Sequence, residues 1–150
     1  MTRYLLDTDI VSNATKPIPS QPLLEWMSEQ VDEDLFISSL TLAEIHRGVL
    51  VKPMGKKRRD LEDWFKGPEG PQALFRGRVL AFDEKAALIW ARLMTEGTAA
   101  GRPRSALDMV VAAIGEANDC VVVTDNEKHF SGINILNPLR SPKRRGSAGR

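Results

Sequence analysis

Apolar residues along the chain fall into two kinds of pattern. Short uninterrupted runs occur at Tyr4-Leu5-Leu6, Leu35-Phe36-Ile37, Val79-Leu80-Ala81-Phe82, Val121-Val122-Val123 and Ile133 to Leu136, with the length and branched character of buried strands. Between them lie segments with helical periodicity. A short helix follows Asp7, and others are predicted over Leu23 to Val31, Thr41 to about Val51, Arg59 to Lys66, Glu84 to about Thr98 and Ala106 to Ala117. Leu61, Trp64 and Phe65 share one face, as do Ala87, Trp90, Ala91 and Met94.

Punctuation agrees with these limits. Lys16 to Pro22, Pro53 to Gly55, Gly67 to Pro71 and Gly97 to Pro103 are rich in Pro, Gly and polar residues and read as breaks. Thr41 with Glu44, and Ser105 with Asp108, have the spacing of capping boxes, and Asp83 is placed to cap the helix after it. Strands that alternate with helices over the whole length predict an α/β fold: a central, mostly parallel sheet with helices on both faces. At 150 residues the chain fits a single core. The domain is expected over 1–139, followed by a basic, disordered tail over 140–150.

Composition narrows the chemistry. With 42% apolar and 27% charged residues the chain is expected to fold. Cys120 is the sole cysteine, which excludes an internal disulfide, a Cys-rich zinc site and a CxxC redox motif. No run reaches the length of a membrane span, and the N-terminal apolar run meets an acid too soon for a signal peptide, so the expected location is the cytoplasm. The net charge of +1 hides two basic runs, Lys56-Lys57-Arg58-Arg59 and Lys143-Arg144-Arg145, each readable as a solvated surface or as a nucleic-acid contact.

The acids are more informative. Ligands of an open parallel sheet sit beyond the carboxyl ends of its strands, where Asp7, Asp9 and Asp125 fall. Glu44 and Asp108 are predicted in first helical turns that point at the same edge. Each acid also has a plain structural use, since Asp9 and Asp125 can cap helices and Glu44 and Asp108 can close capping boxes. Energetics of the set separate the two readings. A cap contributes about 0.5 to 2 kcal/mol, whereas two bare carboxylates about 4 Å apart repel by about 4 kcal/mol at an effective dielectric constant of 20. Acids that converge therefore need a cation. Asp108 calls for a partner most clearly, because its helical neighbours Val111, Ala112 and Gly115 are apolar or small. With one cysteine and two histidines, His46 and His129, the available ligands are oxygens, which select Mg²⁺ or Mn²⁺ over zinc.

Four stretches together resemble the PIN-domain nucleases, and among them the VapC and FitB-like toxins of bacterial toxin–antitoxin pairs. They are Leu5-Leu6-Asp7-Thr8-Asp9, Ser39 to Gly48 around Glu44, Leu107 to Ile114 around Asp108, and Val123-Thr124-Asp125-Asn126-Glu127-Lys128-His129-Phe130. The likeness spans residues 3 to 139, with Gly55 to Arg59 and Ile135 to Pro138 adding to it.

The resemblance implies a PIN-like three-layer sandwich and hydrolysis of RNA by water activated on Mg²⁺, for which Mn²⁺ can substitute. It makes Asp7, Glu44 and Asp108 the first three metal-site acids. At the fourth place the chain departs from the pattern: Asp125 falls where Arg is common, Asn126 where Asp or Asn is common, and His129 where an acid can stand. Asp125, which carries charge, is taken first, with Asn126 acting through water as the alternative. Thr8 and Thr124 are expected to orient carboxylates or contact phosphate, or to serve only as turn hydroxyls. Arg47, Lys56, Lys57 and Arg58 are candidates for the RNA backbone. The implied partners are a VapB- or FitA-like antitoxin and a second copy of the chain, with DNA reached only through the antitoxin.

Two other readings compete. Asp7-Thr8-Asp9 after a first strand also resembles the nucleophile motif of haloacid-dehalogenase-type phosphatases, with Asp7 phosphorylated. Alternatively the chain is a FitB-like binding partner without catalysis, its acids filled by an antitoxin arginine.

Overall fold

The computed structural model describes residues 1–140, and the expected tail from Ser141 lies outside the described residues. Five strands, β1 (Arg3–Leu6), β2 (Leu35–Ser38), β3 (Val79–Leu80), β4 (Cys120–Val123) and β5 (Ile135–Leu136), form a sheet in the order β3-β2-β1-β4-β5. All of these pairs are parallel, with Tyr4 opposite Leu35 and Leu6 opposite Val123. The helices are α1 (Thr8–Ala14), α2 (Gln21–Ser28), α3 (Ser39–Leu50), α4 (Lys56–Lys66), α5 (Pro71–Leu74), α6 (Glu84–Ala99) and α7 (Ala106–Ala117). Short 3-10 turns occupy Asp32–Asp34 and Glu127–Phe130.

Successive residues of a strand point to opposite faces, so a strand apolar at every position can support two cores. On one face Leu5, Phe36 and Val122 pack with Leu93 of α6 and Met109, Ala112 and Ala113 of α7. On the other, Leu6, Leu35, Ile37 and Val123 pack with Ile10, Val11, Leu23 and Phe75. These two apolar layers make the three-layer sandwich that the alternation predicts. Full burial of each such aliphatic side chain contributes roughly 1.5 to 3 kcal/mol. Gly115 lets α7 settle on the sheet, because a Cβ there would already stand 3.1 Å from Val122 Cγ2.

Several local expectations need correction. Ser38, not Thr41, caps α3 by accepting the Thr41 amide at 3.0 Å, so the helix opens at Ser39 and Glu44 sits in its second turn, outside any capping box. Asp7 rather than Asp9 caps α1, and the 3-10 turn after Asp125 has no side-chain cap. Pro22 lies inside the first turn of α2, where its missing N–H costs nothing, and α4 begins at Lys56 instead of Arg59. The break at Gly67 to Pro71 runs into the extra helix α5. The buried stripe of α6 is Ala86, Leu93 and Gly97, while Ala91 is exposed, a rotation of about one residue from the predicted face.

Strand order runs outward from β1 to β2 and β3 on one side, and from β4 to β5 on the other. The carboxyl ends of β1 and β4 therefore flank the point where the winding of the sheet reverses, the usual place for a ligand in this architecture. Among the described residues no helix is long and apolar enough to cross a membrane.

Candidate active site

Asp7 emerges directly from β1, its amide extending the ladder to Val123 O at 2.9 Å. Only 5% of Asp7 is exposed. Its Oδ1 accepts the Thr8 amide at 2.8 Å and its Oδ2 accepts the Thr124 hydroxyl at 2.9 Å. Burial, aided by the charges of Asp9 and then Asp108, overrides these two bonds and raises the Asp7 carboxyl to about 6.

Asp9 lies in the first turn of α1 and reaches the end of β4 at Thr124 and Asp125. Its Oδ2 accepts the Asp125 amide at 3.0 Å and lies 3.5 Å from Thr124 Oγ1. Its Oδ1 is buried without a hydrogen-bond partner among the described residues. The Asp9 carboxyl is raised as well, by burial first and then by Asp125. The sequence places Asp9 at this edge with the other acids, and the family resemblance leaves it out of the metal set. The signal that could have found it is the Asp-x-Asp spacing across a helix start, which holds both carboxylates near the strand end.

Thr124 ties the two strand ends together. Its hydroxyl also accepts the Asn126 amide at 3.0 Å, which fixes the turn that carries Asp125. The Asp125 side chain itself is exposed and accepts from Asn137 Nδ2 at 3.0 Å. Thr8 does for α3 what Thr124 does for β4. It donates to Glu44 Oε1 at 2.5 Å, and its oxygen lies 3.0 Å from the buried Thr41 hydroxyl. Asp108, in the first turn of α7 behind its Ser105 cap, has its Oδ2 2.9 Å from His129 Nδ1. His129 is the partner that the apolar surroundings of Asp108 require.

The fold thus gathers Asp7, Asp9 and Asp125 around Thr124, links Glu44 through Thr8, and brings Asp108 close enough to act on Asp7. Asn126 joins through its backbone. Arg47, Lys56, Lys57 and Arg58 lie apart on α3 and α4, and two of them already pair with acids one turn on, Lys56 with Asp60 at 2.8 Å and Arg58 with Glu62 at 3.1 Å.

Two observations fit a hard divalent cation here: the Asp7 and Asp9 carboxyls, raised above their ordinary range by burial first and then by neighbouring acids, and the unpartnered oxygen of Asp9. The donors are all oxygens. Spacing is less complete, since among the described residues no three His, Cys, Asp or Glu side chains close within one coordination shell. Thr8, Thr124 and His129 instead hold the carboxylates individually.

Comparison with known proteins identifies the family and the fold. Plasmid stability protein StbB of Pseudomonas syringae pv. tomato is 33% identical over 89% of this chain and 96% of its own length. VapC ribonuclease Y4jK of Sinorhizobium fredii is 32% identical, again over 89% and 96%. The crystal structure of FitAcB from Neisseria gonorrhoeae superposes with a TM-score of 0.85 at 29% identity, over 92% of this chain and 99% of that one. Neither the phosphatase reading nor that of a non-catalytic partner gains support from these likenesses. The PIN domain family matches residues 4–135, nearly the whole of the sheet and both of its helical layers, and the chain belongs to that family.

Proposed function

We propose that the chain is a Mg²⁺-dependent endoribonuclease of the VapC type, the toxin of a toxin–antitoxin pair, which hydrolyses RNA phosphodiesters to a 5′ phosphate and a 3′ hydroxyl. The observation that carries this reading is the buried Asp7 carboxyl beside the half-buried Asp9, at the reversal point of a PIN-domain sheet and within electrostatic reach of Asp108 and Asp125. The relative named a VapC ribonuclease supports it.

Asp7 and Asp108 would hold the principal ion, with Mn²⁺ able to replace Mg²⁺, and Glu44 and Asp125 would hold a second ion or order water beside the phosphate. The metal supplies Lewis-acid chemistry, lowering the pKa of a bound water and screening phosphate charge. Thr124 aims the Asp7 carboxylate and Thr8 aims that of Glu44, so neither acid searches rotamers when substrate arrives. Asn126 is the neutral alternative to Asp125 through a water. Arg47, Lys56, Lys57 and Arg58 are proposed as a surface for the RNA backbone. The protein is proposed to act as a cytoplasmic homodimer and to be silenced by a VapB- or FitA-like antitoxin, through which alone it meets DNA.

Brief expression of the wild type and of Asp7→Ala, followed by sequencing of new RNA 5′ ends, tests this directly. Discrete 5′-phosphate ends confined to the wild type are expected. Identical end profiles from the two chains would remove the nuclease assignment.

A further inference from the structure

Beside the acidic edge a cleft of about 780 Å³ opens between the loop that joins α6 to α7 and the 3-10 turn Glu127–Phe130. Arg102, Arg104, Lys128 and His129 line it, against one acid, Glu127. That acid is already engaged, accepting from Asn137 Nδ2 at 2.7 Å and lying 3.4 Å from Arg140 Nε.

Arg104 forms the floor. Its guanidinium donates to Leu93 O at 2.7 Å and to Ser131 O at 3.2 Å, stapling α6 to the turn, and its side chain is only 18% exposed. Two glycines leave room for it: a Cβ on Gly97 would meet Arg104 Cγ at 2.9 Å, and one on Gly132, whose φ is +81°, would meet Nη2 at 3.2 Å. The cleft is therefore built around a fixed cation, whose Nη1 also lies 3.8 Å from Glu96 Oε1. Arg102 and Lys128 are exposed and form no ion pair among the described residues, unlike Lys56 and Arg58. His129 belongs both to the cleft wall and to the pair with Asp108, so the cleft runs into the candidate site.

We propose that this cleft is the path of the RNA strand on one side of the scissile phosphate, with Arg102 and Lys128 contacting successive phosphates over the fixed charge of Arg104. The inference rests on the nuclease reading above. Its physical motive is that a rim of carboxylates repels a polyanion, so a strand delivered to those acids has to be held next to them by cations with no other partner. An acidic protein segment would suit the same charges but has no need to end at the acids.

The test is the salt dependence of binding. A fluorescent single-stranded RNA is titrated with full-length Asp7→Asn protein in Mg²⁺ buffer, with and without the added substitutions Arg102→Ala and Lys128→Ala. Two lost phosphate contacts should weaken binding about tenfold at low salt and reduce the slope of log K against log salt by about 1.4. Lys128→Ala alone should reduce it by about 0.7, which keeps the test valid if the double variant folds poorly. An unchanged slope, with wild-type cleavage intact, overturns the cleft proposal and leaves the nuclease standing. Loss of affinity for a protein partner with the RNA slope unchanged overturns it equally. A wild type that neither binds nor cleaves RNA removes both.

Discussion

Thr124 donates its hydroxyl to Asp7 Oδ2 at 2.9 Å, joining the ends of two neighbouring strands that are 117 positions apart in the chain. The bond is buried and its acceptor is charged, which is the costly kind to lose. Thr124→Val keeps the shape and removes the donor. It is expected to cost about 1 to 3 kcal/mol in urea denaturation at pH 7.5, with Thr124→Ser losing much less.

Asp7 itself is a source of instability without a cation. Its carboxyl moves from 3.8 in the unfolded chain to about 6 in the fold, so the folded state binds the proton more tightly. The stability linked to that proton is complete below about pH 4 and is lost as pH rises through about 6, at a cost on the order of 3 kcal/mol. Asp7→Asn escapes the cost but gives up one acceptor, worth about 1 kcal/mol. In EDTA the variant should therefore become the more stable of the two by about 1 to 2 kcal/mol at pH 7.5, with the advantage growing between pH 4 and 6 and then levelling.

Glu44 separates structure from chemistry. Glu44→Gln keeps an oxygen for the Thr8 hydroxyl and removes the charge. Its unfolding midpoint should stay within about 0.5 kcal/mol of wild type, while RNA cleavage falls at least about tenfold. Equal losses in both would make Glu44 a structural acid only.

Gly97 guards the cleft floor. A Cβ there would stand 2.9 Å from the backbone oxygen of Arg102 as well as from Arg104, and backbone cannot yield as a side-chain tip can. Gly97→Ala is expected to destabilise the fold by about 1 to 3 kcal/mol and to weaken RNA binding, both measurable on one preparation by denaturation and anisotropy.

What the chain disclosed beforehand was whatever depends on neighbours in sequence. The triple valine of β4 and the paired apolar runs of β1 and β2 name strands covered on both faces, and Ser105 names the start of α7 to the residue. Ambiguity entered where two local rules matched equally. Ser38 and Thr41 both present a hydroxyl three residues ahead of a usable amide, and only the burial of Thr41 beside Thr8 decides that Ser38 is the cap. The α6 face was misplaced because Trp90, half-buried and bonded to Ala106 O at 2.9 Å, sits at the edge of the stripe instead of its centre. In the site, the acids were legible one by one. Their restraints were not, because Thr8 with Glu44, Thr124 with Asp7 and His129 with Asp108 are pairings that only tertiary folding creates.

A divalent ion is proposed to make the buried Asp7 and its neighbouring acids tolerable together. Titration of Mg²⁺ into the metal-free wild type at pH 7.5, followed by calorimetry and by thermal unfolding, measures that dependence most directly. Saturable binding with a rise in the unfolding midpoint is predicted, abolished in Asp7→Asn and weakened in Asp108→Asn. No binding by the wild type at millimolar Mg²⁺ or Mn²⁺, with the midpoint unmoved, would contradict it.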